Sequence, residues 1–132
     1  MRTLLYGYIA AIFGVVLLID LGVLAGTSHW VQGFPMKDKG AHFLIAGTLA
    51  LAANALLLRH MPTRPWLAVA SGSVLVAAVM AVEELSNQIT PYRAWSIKDL
   101  AANLLGVAVL GAAPMAAWLA MRPARPKATV AN

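Results

Sequence analysis

Residues 40–58 read GAHFLIAGTLALAANALLL, an almost unbroken apolar run. The run is rich in Ala, Leu and Gly and lacks polar–apolar alternation, so it is not the half-lipid, half-lumen strand of a membrane barrel. Backbone N–H and C=O groups in hydrocarbon must be satisfied within their own segment, and a helix does this. A bilayer core takes about 20 apolar residues of helix, with about 17–25 the usual range. This run fits. So do Leu4–Gly26, Pro65–Val82 and Ile97–Ala120. Together they use most of a 132-residue chain and leave no room for a soluble domain beside them.

Composition points the same way. The chain is 61% hydrophobic and 11% charged, whereas about a quarter of residues in soluble domains are charged. The expected fold is all-α: an integral membrane four-helix bundle over residues 1–121, with helices near 4–26, 40–58, 65–88 and 97–120, followed by a basic, disordered tail at 122–132. The first run exceeds the ~7–15 residues of a signal-peptide core and is interrupted by Asp20, so it reads as a retained helix. No cysteine is present, which removes disulfides, thiolate ligands and cysteine nucleophiles. The net charge is +5, but the basic residues are scattered over tails and loops with no stripe interleaved with aromatics. Nucleic acid is not an expected partner.

Four helices return both termini to one side, together with the loop between the second and third. That side carries Arg2, Arg59, Arg64, Arg122, Arg125 and Lys127, against Lys37, Lys39, Arg93 and Lys98 on the other. By the positive-inside rule the termini are cytoplasmic and the protein sits in the inner (plasma) membrane. The acids are more lopsided. Asp20, Asp38, Glu83, Glu84 and Asp99 all fall in the outer half.

Spacing groups the outer polar residues into pairs. Asp38 and His42 begin the second helix, Glu84 and Gln88 end the third, and Asp99 and Asn103 begin the fourth. Positions i and i+4 share a helical face, so each pair forms a polar stripe at one membrane depth. Lipid is a costly environment for such stripes, and a shared polar pocket is the alternative. Some of these residues also fit structural roles. Ser96 fits an N-cap with Asp99 reaching back, Asp38 can cap the second helix, and Thr63 with Pro65 suits the start of the third. His42, Gln88 and Asn103 lie a turn deeper than any cap. Ala102-x-x-x-Gly106 and Gly22-x-x-x-Gly26 allow close helix approach.

Two motifs in this region resemble the VanZ-like family of membrane proteins. The first is DKGAHF, Asp38 to Phe43. The second is the series Glu84, Gln88, Pro91, Arg93, Ser96, Asp99, Asn103, Gly106 and Gly111. The resemblance spans residues 38–111 and departs from the family pattern at Glu83 and Tyr92. It implies a small multi-helix membrane protein and a link to resistance against the glycopeptide teicoplanin, and it leaves the biochemical activity open.

Two helix N-termini and nearby cations make the outer face suited to an anion, with Arg93 able to bind it bidentately. The leading expectation is recognition of an anionic envelope lipid or lipid-linked cell-wall-precursor headgroup by Asp38, Lys39, His42, Glu84, Gln88, Arg93, Ser96, Asp99 and Asn103. The alternative is a hydrolase or transferase acting on such a lipid, with His42 and Glu84 or Asp99 as catalytic acid and base and Ser96 the nearby serine placed to be a nucleophile. A third reading is a structural or assembly protein whose polar cluster only fixes the bundle. A divalent-metal site from His42, Glu84, Asp99 and Asp38 is chemically possible, but no recognised metal-ligand spacing occurs, and neither metal nor cofactor is expected.

Overall fold

The computed structural model describes residues 2–20, 23, 38–89 and 95–121, apart from the side chains of Arg2, Ile19, Asp20 and Asp38. Helix α1 runs over Arg2–Asp20, α2 over Asp38–His60, α3 over Pro65–Ser86, α4 over Ile97–Gly111 and α5 over Ala113–Ala120. The protein is an all-α bundle of four helical rods, because α4 and α5 continue one another. Three stretches are long and apolar enough to cross a membrane: Lys39–His60, Pro65–Ser86 and Ile97–Ala120. Helix α1 is apolar over Thr3–Leu18 but shorter than these three. The chain is thus a small multi-pass membrane protein.

Helix α2 is the axis of the bundle. It packs on α4 most extensively, on α3 next, and more sparingly on α1. Its buried face carries Ala46, Leu49 and Ala50, which meet Val76 and Met80 of α3 and Val107 of α4. The outer faces are apolar too, with Trp66, Val74 and Val82 of α3 and Leu105 and Val109 of α4 all exposed. Apolar patches of this extent are not tolerated in water, and in a bilayer they are the lipid-facing surface. Tyr6 Oη and His60 Nε2 are 3.3 Å apart, so α1 begins beside the end of α2 and the two run antiparallel.

Close approach of α2 and α4 depends on glycine. A Cβ built on Gly106 would lie 2.1 Å from the Phe43 carbonyl oxygen and 3.0 Å from the Gly47 nitrogen. In lipid, where tails are as apolar as side chains, such backbone-to-backbone packing is a main source of helix association. Gly106 of the Ala102-x-x-x-Gly106 pair thus sits at a close helix crossing. Gly22 and Gly26 lie outside the described residues.

The last rod is divided, where the sequence leads one to expect a continuous helix over 97–120. Pro114 has no N–H to donate to the preceding turn, and it occupies the first turn of α5. The Met115 and Ala116 N–H groups both go to the Ala112 carbonyl, which leaves the Gly111 carbonyl without its i+4 donor. Asn54 of α2 supplies one. Its Nδ2 donates to the Gly111 oxygen at 2.8 Å and to Ser73 Oγ at 2.9 Å. Asn54 is 0% exposed. Gly72 makes space for it, since a Cβ there would meet Asn54 Oδ1 at 2.1 Å.

One amide thus ties α2 to α3 and to the break in the last rod. Asn54→Leu is expected to lower stability by about 1–3 kcal/mol through the abandoned carbonyl alone. Reversible unfolding in mixed micelles checks this, with Asn54→Gln as the variant that keeps the chemistry but not the shape.

Helix α3 ends earlier than the expected residue 88. Gln88 N–H donates to Leu85 O and Ile89 N–H to Ser86 O, both i→i−3. The chain tightens after Ser86 into a three-residue-per-turn winding. At the other end Pro65 occupies the first helical turn and Arg64 the cap position, with no side-chain cap bond. Thr63 therefore does not cap α3. It lies in the turn closed by Arg64 N–H to Met61 O at 3.1 Å.

Candidate functional site

The buried polar side chains fall at one end of the bundle, where α2 and α4 begin and α3 ends, with Asn54 the exception. His42, Glu84, Asn87, Asp99 and Asn103 are all buried there. Three helix ends deliver most of them. His42 lies one turn into α2, Asp99 and Asn103 lie on the first two turns of α4, and Glu84 is in the last turn of α3.

The capping pattern at α4 forms only in part, and the remainder is informative. Ser96 is the N-cap, and its Oγ accepts from the Asp99 N–H at 3.4 Å. A full capping box would return the Asp99 carboxylate to the Ser96 N–H. Instead that N–H donates to Glu84 Oε1 at 2.7 Å. The Asp99 carboxylate accepts from Lys39 Nζ in an ion pair between α4 and α2, and its remaining tie to the cap is to the Ser96 side chain. Glu84 thus takes the Ser96 N–H that a full capping box gives to Asp99, and this bond ties the end of α3 to the start of α4.

His42 turns to Asn103. Its Nδ1 donates to Asn103 Oδ1 at 3.2 Å. With a carbonyl oxygen as acceptor, the proton is assigned to Nδ1 and the ring lone pair falls on Nε2. Glu83 comes in from the turn of α3 beside Glu84. His42, Glu83 and Glu84 each bring a nitrogen or oxygen atom to within 4.8 Å of the others.

The expected pair of Glu84 with Gln88 does not form. The tightened turn after Ser86 carries Gln88 to an exposed position. Asn87 takes its place, buried and with Nδ2 3.5 Å from Glu84 Oε2. Of the expected site residues, the structure brings together Lys39, His42, Glu84, Ser96, Asp99 and Asn103. Asp38 begins α2, but its side chain lies outside the described residues, as does Arg93 in the 90–94 stretch. An apolar groove of ≈ 180 Å³ between α1 and α2, lined by residues such as Tyr8, Ile12 and Ile45, lies apart from the polar cluster.

The chain matches no family model, no curated protein and no solved structure.

Glu83 and Asn87 are the functional candidates that spacing did not select. Strict i+4 counting leads past Asn87, although i+3 from Glu84 also shares its face. Glu83 belongs to the next face by a rotation of about 100° per residue, so only the packing of α2 against α3 places it near His42.

Ser96 has two demands on it, a cap and a suggested nucleophile. Its Oγ is engaged as an acceptor at the helix terminus, and Glu84 is held by its backbone rather than its hydroxyl. Ser96→Ala is expected to cost about 1 kcal/mol of stability and to leave any activity of the cluster in place. Thermal unfolding together with a turnover assay checks both halves of this prediction.

Proposed function

We propose that this protein is a membrane-embedded hydrolase or transferase acting on an anionic lipid headgroup, with His42 and Glu84 as its acid–base pair. The observation that carries the reading is the convergence of His42, Glu83 and Glu84 within 4.8 Å in a chain whose surroundings are otherwise hydrocarbon. Ionisable groups inside membrane segments are costly and are retained where they act. Membership of the VanZ-like family, resting on the motifs in residues 38–111, belongs to the same proposal. So do an inner-membrane location, cytoplasmic termini and an outward-facing site.

The chemistry follows from the bonds. Asn103 fixes the His42 ring so that Nε2 is its basic atom, and a phosphate ester is an electrophile suited to general-base attack. In hydrolysis, His42 takes a proton from water as the water oxygen bonds to phosphorus. The P–O bond to the lipid alcohol then breaks, and the protonated His42 returns its proton to the alcohol oxygen. In transfer, the hydroxyl of a second molecule replaces water. Lys39, half-exposed beside buried Asp99, stands where it can attract the phosphate charge. Arg93 belongs to the same headgroup contact in this reading.

The test uses phosphatidylcholine vesicles containing phosphatidylglycerol and a polyprenyl diphosphate, incubated with the purified protein in ¹⁸O-labelled water. Heavy oxygen in released phosphate identifies a hydrolase, and a lipid product without label identifies a transferase. Headgroup binding with both lipids intact returns the site to recognition without turnover.

A further inference from the structure

Glu84 poses an electrostatic question that the acid–base reading does not answer. The residue is 1% exposed, and its described partners, the Ser96 N–H and the Asn87 amide, are both neutral. The ion pair nearby joins Lys39 to Asp99. A carboxylate withdrawn from water is stabilised by an opposite charge much better than by neutral donors. A second carboxylate, Glu83, lies within reach of the same histidine.

We infer that His42, Glu83 and Glu84 form a binding site for a divalent first-row transition cation such as Mn²⁺ or Zn²⁺. The donor set of one imidazole and two carboxylates suits these ions. Metal–ligand bonds of about 2.1 Å place donors up to about 4.2 Å apart around one ion. The three atoms lie within 4.8 Å of one another, so small side-chain adjustments complete the set. Metal-bound histidines characteristically donate their other ring N–H to a fixed oxygen. His42 does so to Asn103 Oδ1, and the Glu84 carboxylate is oriented by the Ser96 N–H.

An independent observation comes from Asn103. It is 1% exposed, and its Nδ2 has no hydrogen-bond partner among the described residues. A buried donor left without an acceptor is destabilising, and it is placed on the amide that touches His42. A ligand oxygen entering the polar cluster would accept from it. An ion on Nε2 takes up the lone pair that the acid–base reading gives to water, so a loaded site and general-base catalysis by His42 exclude one another. The binding site itself stands whether or not turnover occurs.

The experiment uses the full chain in detergent, stripped with chelator and titrated with Mn²⁺. Bound metal is measured by elemental analysis, and the Mn²⁺ signal is examined by electron paramagnetic resonance for nitrogen coupling from imidazole. One ion per chain with nitrogen coupling is expected. His42→Ala is expected to lose the coupling, and Glu83→Gln and Glu84→Gln to weaken affinity at least tenfold. Asn103→Ala is expected to weaken it about 10–100-fold while the donor set is retained.

Glu83 is only partly buried, so Glu83→Gln keeps the test available if Glu84→Gln fails to fold. Absence of binding above a detergent blank overturns the inference. So does equal binding by folded wild type, His42→Ala and Glu83→Gln. Metal binding without turnover of either lipid supports the site and removes the enzyme reading.

Discussion

Gly106→Val is expected to prevent accumulation of the folded protein. A Cβ at this position meets the Phe43 carbonyl oxygen at 2.1 Å, and the obstacle is backbone, which has no rotamer to yield. Ordinary overpacking of a core costs about 1–3 kcal/mol. Here relief requires α2 and α4 to separate, which also pulls His42 from Asn103 and Lys39 from Asp99. A loss of about 3 kcal/mol or more is a large share of the roughly 5–15 kcal/mol that stabilises a typical domain. Gly7→Val in α1 supplies the control, since nothing lies within 4 Å of a Cβ there. Yield and monodispersity in detergent, compared for the two variants, check the prediction. Equal recovery would mean that the α2–α4 crossing is not the central contact of the bundle.

The second large effect concerns chemistry rather than folding. His42→Ala is expected to reduce turnover of the headgroup substrate by about 10²–10⁴-fold, the range for loss of a positioned acid or base. Glu84→Gln is expected to do likewise while keeping an oxygen to accept from the Ser96 N–H. The glutamine tests charge without removing the link between α3 and α4. Asp99→Asn should be milder. Its carboxylate is committed to Lys39, and Lys39 is 38% exposed and can turn to water. A collapse of activity in Asp99→Asn with none in Glu84→Gln would exchange the roles assigned to the two acids. Initial rates on vesicles, normalised to folded protein, decide between these outcomes.

Much of the fold could be read from hydrophobic length, because hydrocarbon leaves the backbone few choices. The runs at 40–58, 65–82 and 97–120 became the membrane-crossing stretches, and Gly106 of the small-residue pair sits at a close helix crossing. Detail at helix ends was less legible. Pro114 divides the last rod because it lacks an N–H, yet its consequence is met by Asn54, distant in sequence. Helix α3 stops at Ser86 since its final turn tightens, and a two-residue change in where it stops exchanges Gln88 for Asn87.

The site shows the same division. His42 with Asn103, and Glu84 near Ser96, follow from polar positions at one depth of the bundle. Glu83 does not, because its nearness to His42 arises only when α2 packs on α3. Asp99 fits the local capping pattern, but its carboxylate pairs with Lys39 at longer range and the Ser96 N–H goes to Glu84. Local sequence specifies which residues are polar and at what depth. Tertiary packing decides which of them meet.

The account turns on whether His42 and its two glutamates act on a lipid headgroup. Its most direct test follows the phosphatidylglycerol and polyprenyl diphosphate in vesicles by mass spectrometry, with wild type and His42→Ala at equal amounts of folded protein. The account predicts loss of headgroup phosphate from at least one lipid with wild type, slowed at least a hundredfold in the variant. Equal rates in the two proteins, or intact lipids with both, would contradict it.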